Sequence, residues 1–382
     1  MLDRLAAYAR CLDDPERWAV ATIVGISGSS PSPVGTSMAV SEDLEIIGSL
    51  SGGCVEAAVA ARCQQALEDG ASFLDVFGPD GKRLGEIALT CGGRIEVLIQ
   101  PLPVLAEGIE GGLPRLRQLA RTAADRRRPE LRWRRTAHTL GEQDMPDGAW
   151  LQEIPQPQRL VIEESLPPVP RLILSGVHDV SVHLAQLALG AGWRVDMVDI
   201  RPAFATPARV PEGVELSVGH PETVVTELLN EPAASWTAAV VMTHHPDLDV
   251  PVLHAGLSTP SDRLHLLGAM GSRRAQARRD AALAELGHTA EDRARIVSPL
   301  GLDLAAATPA ETAVSMFAEL IATKNAPTRT GEPEATAPGA GEPGTPLRLL
   351  TGPISRRPRT QSLTAVRRMP QHGAHQKKVS LR

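Results

Sequence analysis

The sequence predicts an α/β protein with a small α+β domain at its amino-terminal end, followed by a Rossmann-like doubly wound domain with a parallel sheet. Three observations support this prediction. The chain has 382 residues, which is enough for two or three domains. Hydrophobic residues make up 42% of it and charged residues 22%, so a sizeable core can form. A strand, a helix and a second strand follow one another within about 30 residues, which is typical of a βαβ unit.

The first domain, which we assign to residues 1–105, combines short apolar strands with one alanine-rich helix. Residues 106–168 carry an arginine-rich stretch and end in Pro167-Pro168, which predicts a linker with a helix. The predicted elements of the first domain are strands at 18–26, 37–40, 45–50 and 95–99, and a helix at 55–67.

The second domain, which we assign to residues 169–325, repeats short apolar segments separated by helical periods. Strands of a parallel sheet are buried on both faces and read as apolar runs of this kind. The predicted strands are 171–176, 194–199, 238–242, 264–267 and 295–297, and the predicted helices are 180–189, 274–286 and 309–323.

Residues 326–382 show no sustained hydrophobic period, so we expect a disordered tail. This tail holds ten Lys or Arg and three Glu, which leaves the first 325 residues with a net charge of −13. Its basic clusters lack interleaved aromatic residues, so we expect no nucleic-acid partner. No apolar run approaches the length of a membrane span, and four cysteines fit a reducing compartment. We therefore expect a cytoplasmic protein without a membrane partner.

The first candidate for chemistry is a glycine-flanked cysteine. Cys54 follows Gly52 and Gly53 at the start of the predicted helix, and a second glycine-bounded loop covers residues 28–35. Main-chain N–H groups and the positive end of a helix dipole beside the sulfur would favour the thiolate. Cys54 would then be a soft metal ligand or a nucleophile. The alternative is a tight turn with a small buried cysteine.

A second cysteine has similar neighbours in the sequence. Cys91 is followed by Gly92 and Gly93, and we expect both cysteine loops to approach a common ligand. No Cys-x-x-Cys pair occurs and no histidine lies in the first 137 residues, which disfavours a four-ligand structural zinc site. We interpret Cys11 and Cys63 as packing residues.

The second domain offers a candidate nucleotide site. Gly176 ends its first predicted strand, and Asp199 ends the second one 23 residues later, near the spacing at which an acid meets a ribose hydroxyl in dinucleotide-binding folds. His178 stands where a second glycine would let a pyrophosphate approach the main chain, so the expectation of NAD(P) binding is weakened.

A polar segment precedes a later helix of the same domain. It consists of Gly271, Ser272, Arg273 and Arg274. N–H groups at a helix start together with arginine side chains form a phosphate cradle. The alternative is a capped helix that faces solvent.

Longer motifs run through both domains, and they occupy residues 33–40, 48–56, 89–93, 192–202, 241–244, 271–274 and 298–303. Together and in this order they resemble the XdhC/CoxI family, the accessory proteins of xanthine dehydrogenase and related molybdenum hydroxylases. The resemblance covers residues 1–105 and 169–322. Two positions depart from the family pattern: His178 replaces a glycine, and Leu44 stands where a hairpin glycine is common.

The resemblance implies a maturation factor that turns over nothing by itself. Family members bind the molybdenum cofactor, support its sulfuration with a cysteine desulfurase, and deliver it to an apo molybdenum hydroxylase. By the same resemblance Cys54 is the cofactor ligand and contacts its molybdenum, Cys91 is a second candidate, and Glu56 orients the site. The implied site also includes Gly35, Gly52, Gly53, Gly92 and Gly93.

The phosphate end of the cofactor, in its pterin or cytosine dinucleotide form, would lie against Gly176, Asp199 and residues 271–274. A homodimer is a further implication of the resemblance. Two alternatives stay open: an NAD(P)-linked oxidoreductase that uses the second domain, and a structural adaptor for the hydroxylase. The sequence contains no Ser/His/Asp or paired-carboxylate arrangement that spacing alone would identify.

Overall fold

The contacts of the computed structural model divide the chain into two compact units. Unit 1 contains Met1–Pro167 and Ser355–Arg382, and unit 2 contains Pro168–Ile354. The structure describes residues 1–30, 32–53, 55–78, 93–139, 159–232, 234–326 and 363–369. Among the helices in these ranges, none is long and apolar enough to cross a membrane.

Unit 1 is built on a five-stranded antiparallel sheet. Its central strand β1 (Trp18–Ser27) pairs with β2 (Ser37–Ser41) on one side. The outer strand on that side is β3 (Ile46–Gly48), which pairs with β2. On the other side lie β4 (Phe73–Phe77) and β5 (Arg94–Pro101), of which β5 pairs directly with β1.

Helix α1 (Glu56–Asp69) covers one face of this sheet and buries Val59 and Cys63 in the core. It ends at Gly70, whose φ of +61° is the left-handed conformation that commonly terminates a helix. The structure confirms the predicted strands and the predicted helix of this region. Strand β4 is absent from the prediction.

The described part of residues 106–168 contains the predicted helix but also two strands, which corrects the prediction of a linker around that helix. Helix α2 (Leu102–Glu107) is followed in the chain by helix α3 (Gly112–Ala124). Two antiparallel strands come next, β6 (Leu131–His138) and β7 (Arg159–Leu166). The helices share a core with the amino-terminal residues of the chain.

The predicted disordered tail also needs correction over seven residues. Strand β14 (Leu363–Met369) pairs antiparallel with β7 and makes a three-stranded sheet. Val366 lies opposite Ile162 and packs against a core that includes Leu98. Pairing with the edge strand β7 provides hydrogen-bond partners for main-chain N–H and C=O groups. A search for hydrophobic periodicity does not detect this stabilisation. The rest of the prediction, over 327–362 and 370–382, lies outside the described residues.

Unit 2 contains a six-stranded parallel sheet. Its strands are β8 (Arg171–Ser175), β9 (Arg194–Asp199), β10 (Val214–Val218), β11 (Thr237–Val241), β12 (Leu266–Ala269) and β13 (Ile296–Val297). Their order in the sheet is β10-β9-β8-β11-β12-β13. Counted within the unit, this order is 3-2-1-4-5-6, which is characteristic of dinucleotide-binding folds.

Helices cover both faces of the parallel sheet, which confirms the predicted doubly wound domain. Leu184 and Phe317 belong to the core on one face, and Val225 and Leu253 to the core on the other. The helices are α4 (Asp179–Gly190), α5 (Pro221–Asn230), α6 (Pro246–Ser258), α7 (Arg273–Glu285), α8 (Ala290–Ala294) and α9 (Pro309–Lys324). Strand β10 and helices α5, α6 and α8 are absent from the prediction.

Candidate functional site

The glycine-rich loops of unit 1 leave one edge of its antiparallel sheet. Ser27 at the end of β1 pairs with Arg94 at the start of β5. Residues 28–30 after β1 and Gly93 before β5 therefore meet at this edge. Gly93 shows how closely they approach, since a Cβ atom there would lie 1.8 Å from the main-chain oxygen of Ser29. Only glycine fits at this contact.

The loop after β3 is organised by the carboxylate of Glu56, the first residue of α1. Its Oε1 accepts hydrogen bonds from Ser49 Oγ (2.6 Å) and from the N–H groups of Leu50 (3.1 Å), Ser51 (2.8 Å) and Gly52 (2.9 Å). Its Oε2 accepts from Ser51 Oγ (2.8 Å) and from the N–H groups of Gly53 (2.9 Å) and Val55 (3.1 Å). One side chain therefore fixes nearly every residue of the loop.

This arrangement determines the charge at the start of α1. Burial raises the pKa of Glu56, but the hydrogen bonds from Ser49 and Ser51 outweigh burial and hold that pKa well below its usual range. We expected the N–H groups of this turn to face a cysteine sulfur, but they donate instead to a carboxylate of the chain itself. The expected stabilisation of a thiolate by open N–H groups therefore does not apply to Leu50, residues 51–53 or Val55.

Some of the predicted site residues of unit 1 lie among the described residues and others do not. Cys54, Cys91 and Gly92 lie outside the described residues. Gly35, Gly52 and Gly53 have φ values of +91°, +82° and +122°, which favour glycine. Apart from chain neighbours, none of the described residues has an atom within 4 Å of a Cβ built at Gly52 or Gly53, so their backbone conformation calls for glycine.

The two remaining cysteines are packing residues, as predicted. Cys11 and Cys63 are both buried. Burial raises the pKa of each thiol to about 12, so both are protonated at neutral pH. Within the described ranges, no group of three or more His, Cys, Asp or Glu side chains is placed to hold a metal ion.

In unit 2 the predicted residues gather at the carboxyl edge of the parallel sheet. Gly176 follows β8, Asp199 ends β9, and Gly271 lies two residues beyond β12. A Cβ at Gly271 would lie 3.5 Å from Nδ1 of His244, so the loops after β11 and β12 approach each other. Doubly wound folds place their ligands at this edge.

The carboxylate of Asp199 is fully engaged within the chain. Its Oδ2 accepts hydrogen bonds from the Val177 N–H (2.8 Å) and from Arg201 Nη2 (2.8 Å), while Oδ1 accepts from the N–H and Nε of Arg201 (both 2.9 Å). Burial raises the pKa of Asp199, but the bonds from Arg201 and Val177 outweigh it and lower that pKa. A ribose hydroxyl would have to displace one of these donors.

His178 occupies the turn between β8 and α4. Its Nε2 lies 2.7 Å from the main-chain oxygen of Met242, the residue after β11. Because that oxygen can only accept, Nε2 carries the proton. Burial lowers the pKa of His178 more than the Met242 carbonyl raises it, which favours the neutral ring. The ring thus bridges the ends of β8 and β11.

At the start of α7, Ser272 caps the helix by accepting a hydrogen bond from the Ala275 N–H (3.3 Å). The capped-helix alternative therefore describes Ser272 correctly. Arg273 and Arg274 are exposed in the first turn. Their role in a phosphate cradle stays a prediction.

Sequence reasoning missed a buried ion pair behind this edge. Arg279 donates from Nε (3.0 Å) and Nη2 (2.6 Å) to Oδ2 of Asp249, whose Oδ1 accepts from Thr243 Oγ1. Asp249 and Arg279 lie 30 residues apart on α6 and α7. No motif or spacing in the sequence pairs them.

Comparisons with known proteins agree with this architecture. A family model for the XdhC Rossmann domain matches residues 172–320, and a model for the XdhC and CoxI family matches residues 11–78. The chain is 31% identical over 345 residues to a protein of Bacillus subtilis described as a probable xanthine dehydrogenase subunit, covering 85% of this chain and 96% of that protein.

Two further similarities extend over most of the chain. It is 27% identical over 308 residues to the molybdenum cofactor insertion chaperone PaoD of Escherichia coli, covering 79% of this chain and 82% of that protein. The crystal structure of a xanthine dehydrogenase from Bacillus halodurans superposes with a TM-score of 0.62 at 22% identity, covering 86% of this chain and 98% of that one. This last likeness shows the shared fold.

Proposed function

This chain belongs to the XdhC and CoxI family, and we propose that it is an accessory protein that binds the molybdenum cofactor and inserts it into a xanthine dehydrogenase-type enzyme. The similarity to an insertion chaperone over 82% of that protein's length supports this proposal. The structural observation that carries it is the loop before α1, in which the Glu56 carboxylate holds residues 49–53 and Val55 in one conformation.

Within this proposal, Cys54 is the ligand of the cofactor's molybdenum, and Glu56 is a positioning residue. A thiolate is a soft ligand that suits such a metal centre. Glu56 binds the N–H groups of Gly53 and Val55, the residues on either side of Cys54 in the sequence. Cys91 is the second candidate ligand. The glycines Gly35, Gly52, Gly53, Gly92 and Gly93 complete the proposed site.

A separate part of the proposal concerns unit 2 alone. Arg273 and Arg274, with Gly271 and Ser272, would bind a phosphate group, since guanidinium groups beside a helix start suit a phosphate. Gly176 and Asp199 lie along the same sheet edge. Since Val177 and Arg201 occupy the Asp199 carboxylate, we assign these two residues to the shape of the edge and not to direct bonds with a ligand.

We also propose the partners. An apo hydroxylase of the xanthine dehydrogenase type receives the cofactor, a cysteine desulfurase supplies sulfur for it, and the chain acts as a cytoplasmic homodimer. The protein itself completes no catalytic cycle.

The decisive experiment measures cargo. The full chain is expressed in cells that make the cofactor, and bound molybdenum and pterin are measured for wild type, Cys54→Ala and Cys63→Ala. We expect Cys54→Ala to lose most of both, while Cys63→Ala, which changes a buried packing residue, keeps them. Equal and near-zero occupancy in wild type and Cys54→Ala would refute the proposal.

The adaptor alternative is tested in the same cells by the activity of the hydroxylase. If Cys54→Ala supports as much hydroxylase activity as wild type, the chain serves as a scaffold and not as a carrier. We expect that activity to fall together with the cargo.

A further inference from the structure

The fold of unit 2 specifies where a dinucleotide would bind. In a sheet of order 3-2-1-4-5-6, the ligand lies at the carboxyl edge where the strand order reverses, here between β8 and β11. Two anchors are needed. Open N–H groups in the first strand-to-helix turn hold the pyrophosphate, and an acid at the end of the next strand holds the ribose hydroxyls.

Two N–H groups of the pyrophosphate anchor are engaged within the chain, and the first N–H groups of α4, which have no intrahelical partner, are left to bind a pyrophosphate. The N–H of Val177 donates to Asp199 (2.8 Å), and the N–H of His178 donates to Ser181 Oγ (2.9 Å). The ring of His178 then reaches across the reversal point to the oxygen of Met242 (2.7 Å). A dinucleotide crossing from β8 to β11 would meet this ring.

The ribose anchor is occupied by the chain. Arg201 donates three hydrogen bonds to the carboxylate of Asp199, and the Val177 N–H supplies a fourth. The guanidinium carbon of Arg201 lies 3.9 Å from the ring centroid of Phe204, a cation–π contact that holds the arginine in place. Asp199 therefore offers no open acceptor position to a sugar.

We propose that His178 and Arg201 close the dinucleotide crevice of unit 2 from within, and that removing these two side chains creates a nicotinamide dinucleotide site on this chain. The inference concerns unit 2 alone and does not depend on the proposed cargo. It assigns the two residues a role in specificity, because they exclude a class of ligand that the fold itself accommodates.

The test uses the full chain and two probes, NAD⁺ and NADP⁺, titrated by calorimetry. Wild type, His178→Gly, Arg201→Ala and the double variant form a complete cycle. We expect no saturable binding by wild type and binding by His178→Gly. We also expect the double variant to bind NAD⁺ about tenfold more tightly than His178→Gly, because Asp199 can then accept the ribose hydroxyls.

Two controls keep the result interpretable. His178→Asn retains a polar side chain in the crevice and should not bind, whereas His178→Ala should bind if the glycine variant fails to fold. Thermal unfolding of each variant establishes that unit 2 is intact. The proposal is overturned if wild type binds as tightly as the double variant, or if the folded double variant binds neither probe. The first outcome would favour the oxidoreductase alternative.

Discussion

The Asp249 carboxylate and the Arg279 guanidinium are each 2% exposed, and Nη2 of Arg279 lies 2.6 Å from Oδ2 of Asp249. Arg279 also donates to the main-chain oxygens of Met270 (2.9 Å) and Thr243 (3.1 Å), which follow β12 and β11. The pair thus joins the two loops that carry residues 271–274 and the histidines at 244 and 245. The geometry of this edge depends on one buried salt bridge.

Removing one member of that pair should strongly destabilise unit 2. Asp249→Ala leaves a buried guanidinium without its counter-charge, and we expect a loss of about 3 to 5 kcal/mol in the free energy of unfolding, measured by urea denaturation. Asp280→Ala is the matched control, because its carboxylate is 47% exposed and pairs with Arg293. The control should lose less than about 1 kcal/mol. Similar losses in both variants would contradict the assignment.

The Glu56 loop offers a second prediction. Glu56→Gln replaces one acceptor oxygen with an NH₂ donor, which then faces O–H and N–H donors. We expect a loss of about 2 kcal/mol in the free energy of unfolding and faster proteolysis within residues 49–55. Glu45→Gln is the control, because the Glu45 side chain is 51% exposed and forms a surface ion pair with Arg10, so little change is expected. Resistance to protease equal to that of wild type in Glu56→Gln would show that another group holds the loop.

Two glycines of unit 1 should respond differently to alanine. Gly52→Ala places a Cβ more than 4 Å from the described residues other than its chain neighbours, and its backbone φ of +82° is strained for alanine, so a loss of about 1 kcal/mol is expected. Gly93→Ala forces a Cβ against the Ser29 oxygen and should lose about 3 kcal/mol. Chemical denaturation measures the free energy of unfolding of both variants. A larger loss in Gly52→Ala than in Gly93→Ala would mean that Gly93 does not contact Ser29 in solution.

The stability of unit 2 should fall at mildly acidic pH. Burial lowers the pKa of His178 and of His265 in the folded state. The unfolded chain therefore binds more protons below about pH 6.5, and stability decreases as the pH drops from there toward the folded-state pKa values. His178→Gln should flatten this dependence in denaturation curves recorded between about pH 7 and 5, and adding His265→Gln should flatten it further. An unchanged slope in the double variant would rule out these residues as its source.

The tail strand can be tested with neighbouring residues. Val366 packs into the core beside β7, whereas Ala365 is exposed on the other face. Val366→Ser should lower the free energy of unfolding of unit 1 by about 1 kcal/mol, and Ala365→Ser should leave it nearly unchanged. Equal effects would indicate that residues 363–369 do not pair with β7 in solution.

Sequence patterns predicted the elements whose apolar periods are unbroken, such as β1, β8 and α4. They failed for β6, although its residues alternate between buried and exposed positions. The reason is Arg135, which is 1% exposed and donates to the side chain of Gln100. A buried arginine reads as a solvent-facing residue until its partner on another strand is known.

In the candidate site, too, local features could be predicted from the sequence, whereas contacts made in the folded chain could not. The turns at Gly35, Gly52 and Gly53 could be located from the sequence, because glycine is the residue that most readily adopts a positive φ. The role of Glu56 could not be derived from spacing alone, since it depends on the direction of N–H groups in a folded loop. The engagement of Asp199 likewise depends on Arg201, a neighbour that the dinucleotide pattern does not include.

Strand β14 has a consequence for the order in which the polypeptide matures. Its partner β7 is translated about 200 residues earlier, and the whole of the parallel sheet is translated between them. The edge of β7 therefore cannot pair with β14 while the intervening residues are synthesised, and the three-stranded sheet can form only after the strands of the parallel sheet have been translated.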